Sequence, residues 1–177
     1  MQIIIVGSMG AGKTTIGRSL ATKLDMPFYD IDHEIVARCG VDIPTIFDIE
    51  GEEGFRSRET QTLEEICQLS DAVIATGGGA VTRPENNTII QHADHVIYLD
   101  VTVNEQLRRT GKDRNRPLLQ AENPRAILES LAKVRRPLYE SVATATFKTD
   151  GMACSKVTRI ILDALNLRGT EQKHENG

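Results

Sequence analysis

An aliphatic run, Ile3-Ile4-Ile5-Val6, leads without a break into Gly7-Ser8-Met9-Gly10-Ala11-Gly12-Lys13-Thr14-Thr15, and this junction constrains the fold more than any other stretch of the chain. It matches the pattern G-x-x-x-x-G-K-S/T. Glycines let successive backbone N–H groups turn toward one anion, and the helix that follows aims its positive end at the same point. Such a loop requires a strand before it and a helix after it. The aliphatic run supplies the first, and Ile16, Leu20 and Leu24 at helical spacing supply the second. The segment is therefore expected to cradle nucleotide phosphates with Gly10, Ala11, Gly12 and Thr15. Lys13 would reach the β- and γ-phosphates, and the Thr14 hydroxyl would ligate Mg²⁺.

With 177 residues, 40% of them hydrophobic, the chain suits one domain with one sizeable core. The net charge of −4, from 21 basic and 25 acidic side chains, argues against general binding to nucleic acid or anionic membranes, which needs an excess of Lys and Arg. Cys39, Cys67 and Cys154 are odd in number and far apart, with no C-x-x-C pair, so neither a disulfide framework nor a zinc site is expected. No signal-type segment opens the chain and no run of about 18 apolar residues occurs, so the expectation is a soluble cytoplasmic protein.

Short aliphatic runs at 3–6, 72–75 and 96–99, separated by stretches of helical period, predict a parallel sheet with helices on both faces. Weaker strands are expected at 28–29 and 145–149, making about five. Helices are expected at 14–24, 31–38, 44–48, 52–69, 84–92, 103–109, 124–142 and 155–165, with Pro44, Pro84 and Pro124 at starts where a missing N–H costs nothing. One domain is expected over 1–167, followed by a polar, frayed tail at 168–177.

Several motifs bear on chemistry. Thr22-Lys23-Leu24-Asp25 resembles a guanine-reading string but falls inside a helix, where its side chains would spiral instead of converging. Asp100, ending the strand before it, could be mistaken for a magnesium ligand, and Asp30 and Asp32 compete for that role. The latter two lie at the carboxyl end of the second strand, where open α/β sheets bind ligands, on one face if extended. Either could instead cap the next helix. In Phe55-Arg56-Ser57-Arg58-Glu59, Arg56 and Glu59 share a helix face and Arg58 points elsewhere. Gly77-Gly78-Gly79 follows a buried strand, and three glycines in a row suit a ligand lying against bare backbone. Between Arg108 and Arg136 stand nine basic residues against three acids. Within that stretch, 110–119 lacks an apolar period and reads as a flap carrying Arg116 over a transferring phosphoryl group.

Taken in order, the phosphate loop GSMGAGKTT, the FYDID pair, the FRSRE helix, ATGGGAV, RRTGKDRNRPLL and Arg135-Arg136-Pro137-Leu138-Tyr139 resemble the shikimate kinase family, from the first strand to about Phe147. That resemblance implies a three-layer α/β/α sandwich of the nucleoside-monophosphate-kinase type, with a five-stranded parallel sheet in the order 2-3-1-4-5, usually as a monomer. It implies transfer of the γ-phosphoryl of ATP to the 3-hydroxyl of shikimate, on the route to aromatic amino acids. By position, Arg56, Arg135 and the Gly78 N–H would hold the shikimate carboxylate, with Gly77 and Gly79 beside them. Arg135 is chosen over Arg136 from its spacing to Leu138-Tyr139. Asp32 would orient or deprotonate the 3-hydroxyl, Asp30 would touch Mg²⁺ through water, and Glu59 would brace Arg56. Phe47 and Phe55 would line the apolar wall. Lys13 and Arg116 would stabilise the phosphoryl charge, and Arg109 would stack on adenine. The chain departs from the family pattern at Ser8, where proline or leucine is often found, and near Gly151-Met152, where a second adenine contact is often supplied.

Two other readings stay open at this level. A kinase of the same fold could act on gluconate or a nucleoside monophosphate, although the arginine pair facing the triglycine turn favours a carboxylate. A nucleotide-binding switch could bind ATP without transferring phosphate, although Lys13, Thr14, Asp32 and Arg116 together argue for chemistry.

Overall fold

The computed structural model describes residues 1–110 and 122–167. Five strands form one parallel sheet: β1 (Gln2–Val6), β2 (Phe28–Asp30), β3 (Ala72–Ala75), β4 (His95–Asp100) and β5 (Ala145–Lys148), in the order β2-β3-β1-β4-β5. Parallel neighbours need crossovers, and helices supply them: α1 (Lys13–Leu24), α2 (Ile31–Cys39), α3 (Ile43–Ile66), α4 (Pro84–Gln91), α5 (Val103–Thr110), α6 (Pro124–Val142) and α7 (Cys154–Ala164). The order is the one the resemblance implies. Ile4 lies at the centre, opposite Ile74 on one side and Val96 on the other.

Side chains alternate across the pleat, and this alternation makes the three layers. Ile4, Val6, Ile74, Val96 and Tyr98 pack with Ile35, Phe55, Leu63, Ile90 and Tyr139 from α2, α3, α4 and α6. Ile3, Ile5, Val73, Ile97 and Leu99 pack on the other face with Ile16, Leu20, Val157 and Ile161 from α1 and α7. Because both faces are covered, the strands read as unbroken apolar runs. Each buried isoleucine contributes about 1.5–3 kcal/mol.

Every strand and helix expected from the sequence is present, with ends displaced by a few residues at most. The helix expected to reach residue 69 stops at Ile66 because its final turns tighten, with Gln68 N–H donating to Glu65 O and Leu69 N–H to Ile66 O. The two helices expected on either side of residue 51 form one element with a break at Gly51, whose φ of 71° and ψ of −178° suit glycine alone. Asp42 caps this helix by accepting from Thr45 N–H, and Asn123 caps α6 by accepting from Ala126 N–H.

The guanine-like string lies in the last turn of α1 with Thr22 and Lys23 exposed, so its side chains spiral around the helix as expected. Among the described residues, no helix is long and apolar enough to cross a membrane. The flap expected at 110–119 lies outside the described residues apart from Thr110, as do Arg116 and the tail at 168–177. Since all strands run the same way, the segments after β1, β2, β3 and β4 emerge at one edge of the sheet, where the candidate site is built.

Candidate functional site

The loop after β1 turns back under the sheet edge at Gly7, where an added Cβ would sit 2.7 Å from Leu99 O. It then enters α1 through Gly12 in the left-handed region. Lys13 Nζ donates to Gly7 O at 2.8 Å and Ser8 O at 2.9 Å, so its ammonium lies across the loop it belongs to. Thr14 Oγ1 donates to Asp30 Oδ2 at 2.5 Å, while Asp30 Oδ1 accepts from His33 N–H at 3.3 Å. Asp30 thus caps α2 and also faces the phosphate loop. The cap that the sequence left as one alternative is thus present on one oxygen, while the other oxygen meets the Thr14 hydroxyl.

These oxygens fit a magnesium ion in kind. Mg²⁺ takes hard oxygen donors, needs few from the protein and completes its shell with phosphate and water. Among the described residues no cluster of three or more His, Cys, Asp or Glu could hold a metal unaided. Asp100 is committed elsewhere: it accepts from Tyr98 OH at 3.2 Å and pairs with Arg136 Nη2 at 3.2 Å.

Helix α5 braces the loop from its far side. Gln106 Nε2 donates to Met9 O at 2.9 Å. Arg109 donates from Nη1 to Gly10 O at 3.0 Å and Thr149 Oγ1 at 3.1 Å, and from Nη2 to Thr149 O at 2.6 Å. Its Nε meets Glu105 Oε1 at 2.8 Å, and Glu105 also takes two hydrogen bonds from Arg108. Those bonds hold the Glu105 carboxyl well down, at about 2. Arg109 therefore straps the phosphate loop to the segment after β5 through the hydrogen bonds of its guanidinium edge. Met152, half-buried, packs into the α1–α7 side of the core.

The triglycine turn after β3 is where charged side chains from α2, α3 and α6 converge. A Cβ at Gly77 would collide with the Glu59 carboxylate and stand 2.8 Å from Asp32 Oδ1. One at Gly79 would collide with the Arg56 guanidinium. At Gly78 it would lie 3.7 Å from Arg135 Nη1 and 3.5 Å from Met9 N, beside the phosphate loop. The bare backbone thus makes room for the protein's own charged side chains, a use of the glycines that the sequence reading did not foresee.

Arg56 Nη1 donates to Glu59 Oε2 at 2.7 Å, and Arg56 Nε lies 3.6 Å from Glu52 Oε1. Glu59 is fully buried, and burial pushes its carboxyl above the usual range, although Arg56 and Arg135 pull the other way. Phe47 and Phe55 stack with ring centroids 4.8 Å apart, and the Arg56 guanidinium lies 5.3 Å over the Phe55 ring. Arg58 turns outward to Glu50, at 2.6 and 2.7 Å. Of the two adjacent arginines on α6, Arg135 faces Gly78 and Arg136 is exposed toward Asp100.

Sequence reasoning gave no role to Gln106, Glu105, Thr149 or Tyr139. The first two were within its reach, since Glu105, Gln106, Arg109 and Thr110 share helical spacing. Thr149 and Tyr139 act through distant partners, the Arg109 guanidinium and the Gly78 carbonyl, that no local pattern announces.

A family model described as shikimate kinase matches residues 9–166. A shikimate kinase of Thioalkalivibrio sulfidiphilus is 57% identical over 160 residues, covering 90% of this chain and 84% of its own. One from Ralstonia nicotianae is 50% identical over 168 residues, covering 95% and 88%. Among solved structures, a shikimate kinase from Acinetobacter baumannii in complex with shikimate aligns with a TM-score of 0.91 at 46% identity, covering 96% of this chain and 95% of that one.

Proposed function

The chain belongs to the shikimate kinase family, so it is a kinase that transfers the γ-phosphoryl group of ATP to the 3-hydroxyl of shikimate; we propose that its site divides the reaction between a nucleotide half and an acceptor half. In the nucleotide half, Gly10, Ala11, Gly12 and Thr15 cradle the phosphates at the α1 N-terminus. Arg109 stacks on adenine. Thr14 directly and Asp30 through water hold Mg²⁺, which when bound neutralises phosphate charge.

In the acceptor half, Arg56, Arg135 and the Gly78 N–H take the shikimate carboxylate, a planar group that guanidinium forks match. Phe47 and Phe55 cover the apolar side of the ring, and Glu59 keeps Arg56 in place. Asp32 accepts the proton of the 3-hydroxyl, or orients it, as that oxygen bonds to the γ-phosphorus. The bond from the γ-phosphorus to the bridging oxygen of ADP breaks in the same displacement. Lys13 and Arg116 stabilise the charge spread over the transferring oxygens.

The observation that supports this division is the triglycine turn, which touches Asp32, Glu59, Arg56, Arg135 and the phosphate loop within three residues. We also propose, from family membership, a monomer in the cytoplasm whose partners are its two substrates and neither nucleic acid nor membrane. Sedimentation and cell fractionation decide those points.

The activity is tested by ADP release with Mg·ATP and shikimate, quinate, gluconate or AMP as acceptor. Turnover confined to shikimate is the expected result. Tight ATP binding with no acceptor-dependent ADP overturns it.

A further inference from the structure

All three carbonyls of the triglycine turn are tied down. Gly77 O accepts from Ala80 N–H at 3.2 Å, and Gly79 O accepts from Thr82 N–H at 3.0 Å and Thr82 Oγ1 at 2.7 Å. Those two anchors are local and belong to the turn itself. The carbonyl of Gly78 has a different kind of anchor: it accepts from the hydroxyl of Tyr139, 61 residues away on α6, at 2.5 Å. Tyr139 is 2% exposed, and its ring stacks on Tyr98 with centroids 5.1 Å apart. Burial pushes its phenol up to about 12, so it remains a donor at any working pH. The positive charges of Arg135, one turn earlier on α6, and of Arg56 partly offset that rise.

One hydroxyl therefore holds the backbone of the same glycine beside which the Arg135 guanidinium lies, its Nη1 3.7 Å from where a Cβ on Gly78 would stand. We propose that Tyr139 is a positioning residue for carboxylate recognition, fixing the Gly78 backbone and the Arg135 guanidinium relative to each other so that both address one anion. The inference rests on the acceptor-half reading above and deepens it. A glycine between glycines has the widest backbone freedom of any position, and its direction would wander without a remote anchor. A helical arginine has rotamer freedom of its own. The phenol anchors the Gly78 backbone, and with it the turn against which Arg135 lies.

Tyr139→Phe removes one oxygen and keeps the stack. Its KM for shikimate should rise about five- to tenfold, the loss of one buried hydrogen bond, with kcat and the KM for ATP nearly unchanged. Tyr98→Phe removes the same atom from the stacked partner, whose hydroxyl serves Asp100, and should leave the shikimate KM where it was. The neutral carboxamide of shikimate supplies a readout that a general packing defect would not produce: on it, Tyr139→Phe and wild type should agree within about twofold. If melting shifts enough to blur turnover, calorimetric titration of shikimate without ATP reads the same loss of affinity.

A Tyr139→Phe variant with unchanged shikimate affinity overturns the proposal, as does one that weakens shikimate, its carboxamide and ATP alike. Arg135→Ala run in parallel separates the two levels. If it leaves the shikimate KM unchanged, the carboxylate reading itself fails. If it raises the KM and Tyr139→Phe does not, only the role of Tyr139 fails.

Discussion

Glu59 and Glu105 are both carboxylates held by arginines, yet their surroundings push them in opposite directions. Glu105, on the nucleotide side, takes hydrogen bonds from two guanidinium groups at the rim of the fold and stays ionised to about pH 2. Glu59, on the acceptor side, is fully buried, and loss of hydration outweighs the Arg56 pair. The nucleotide half is thus a backbone loop braced by Gln106 and Arg109, where Glu105, although only 9% exposed, has its charge met by two guanidinium groups. The acceptor half is one fully buried carboxylate set among half-buried charges whose positions depend on one another. Damage to the first should stay local, whereas damage to the second should spread into stability.

Asp32→Asn should have the largest effect, lowering kcat by about a hundredfold or more through loss of general-base or positioning work, with ATP affinity nearly kept. Steady-state turnover with both substrates saturating reads it, and near-normal turnover would assign that role elsewhere.

Arg56→Ala should raise the shikimate KM about 10- to 150-fold, the range for a hydrogen bond to a charged group. It should also lower the melting temperature, because Glu59 would be buried without its closest cation. Adding Glu59→Gln should restore much of the stability and none of the shikimate affinity. Recovery of both together would mean that Arg56 acts only as the partner of Glu59.

Glu105→Gln should raise the KM for ATP by about two- to fivefold, by loosening Arg109, and leave shikimate untouched. An equal change in both constants would break the contrast between the halves.

The smallest effect is one of pH. The folded-state pKa of Glu59 lies above its unfolded value, so the folded state binds more protons and stability falls as pH rises from about 4.5 through the raised value. Glu105 has the opposite sign, contributing stability above its unfolded pKa that is lost as pH falls toward about 2. The stability of the wild type minus that of Glu59→Gln, from urea titrations between pH 4 and 8, should therefore decline with pH. A rising difference would contradict burial as the dominant influence on Glu59.

The nucleotide half was legible almost residue by residue, because a phosphate loop depends on the backbone angles of adjacent residues and on the strand and helix that flank it. Lys13, Thr14 and the glycines needed no distant partner to be recognised. The acceptor half was legible as a set of residue types and much less as an arrangement. Arg56 and Glu59 could be paired from their helical spacing. The choice between Arg135 and Arg136 depended on which face of α6 meets the turn after β3. The triglycine turn was read as a bare floor for ligand, and its closest neighbours proved to be Asp32, Glu59 and Arg56.

The sequence by itself determined the class of fold, the place of the glycine-rich loop and the identity of the charged groups. Alternation in strands, period in helices and glycine in tight turns are properties of neighbours in the chain. Tertiary structure alone decided which oxygen of Asp30 meets Thr14, which charged side chains fill the space beside the triglycine turn, and that a phenol 61 residues away holds the Gly78 carbonyl. Those contacts are set by how helices seat on a closely packed sheet, where a rotation of one residue redirects a side chain by about 100°.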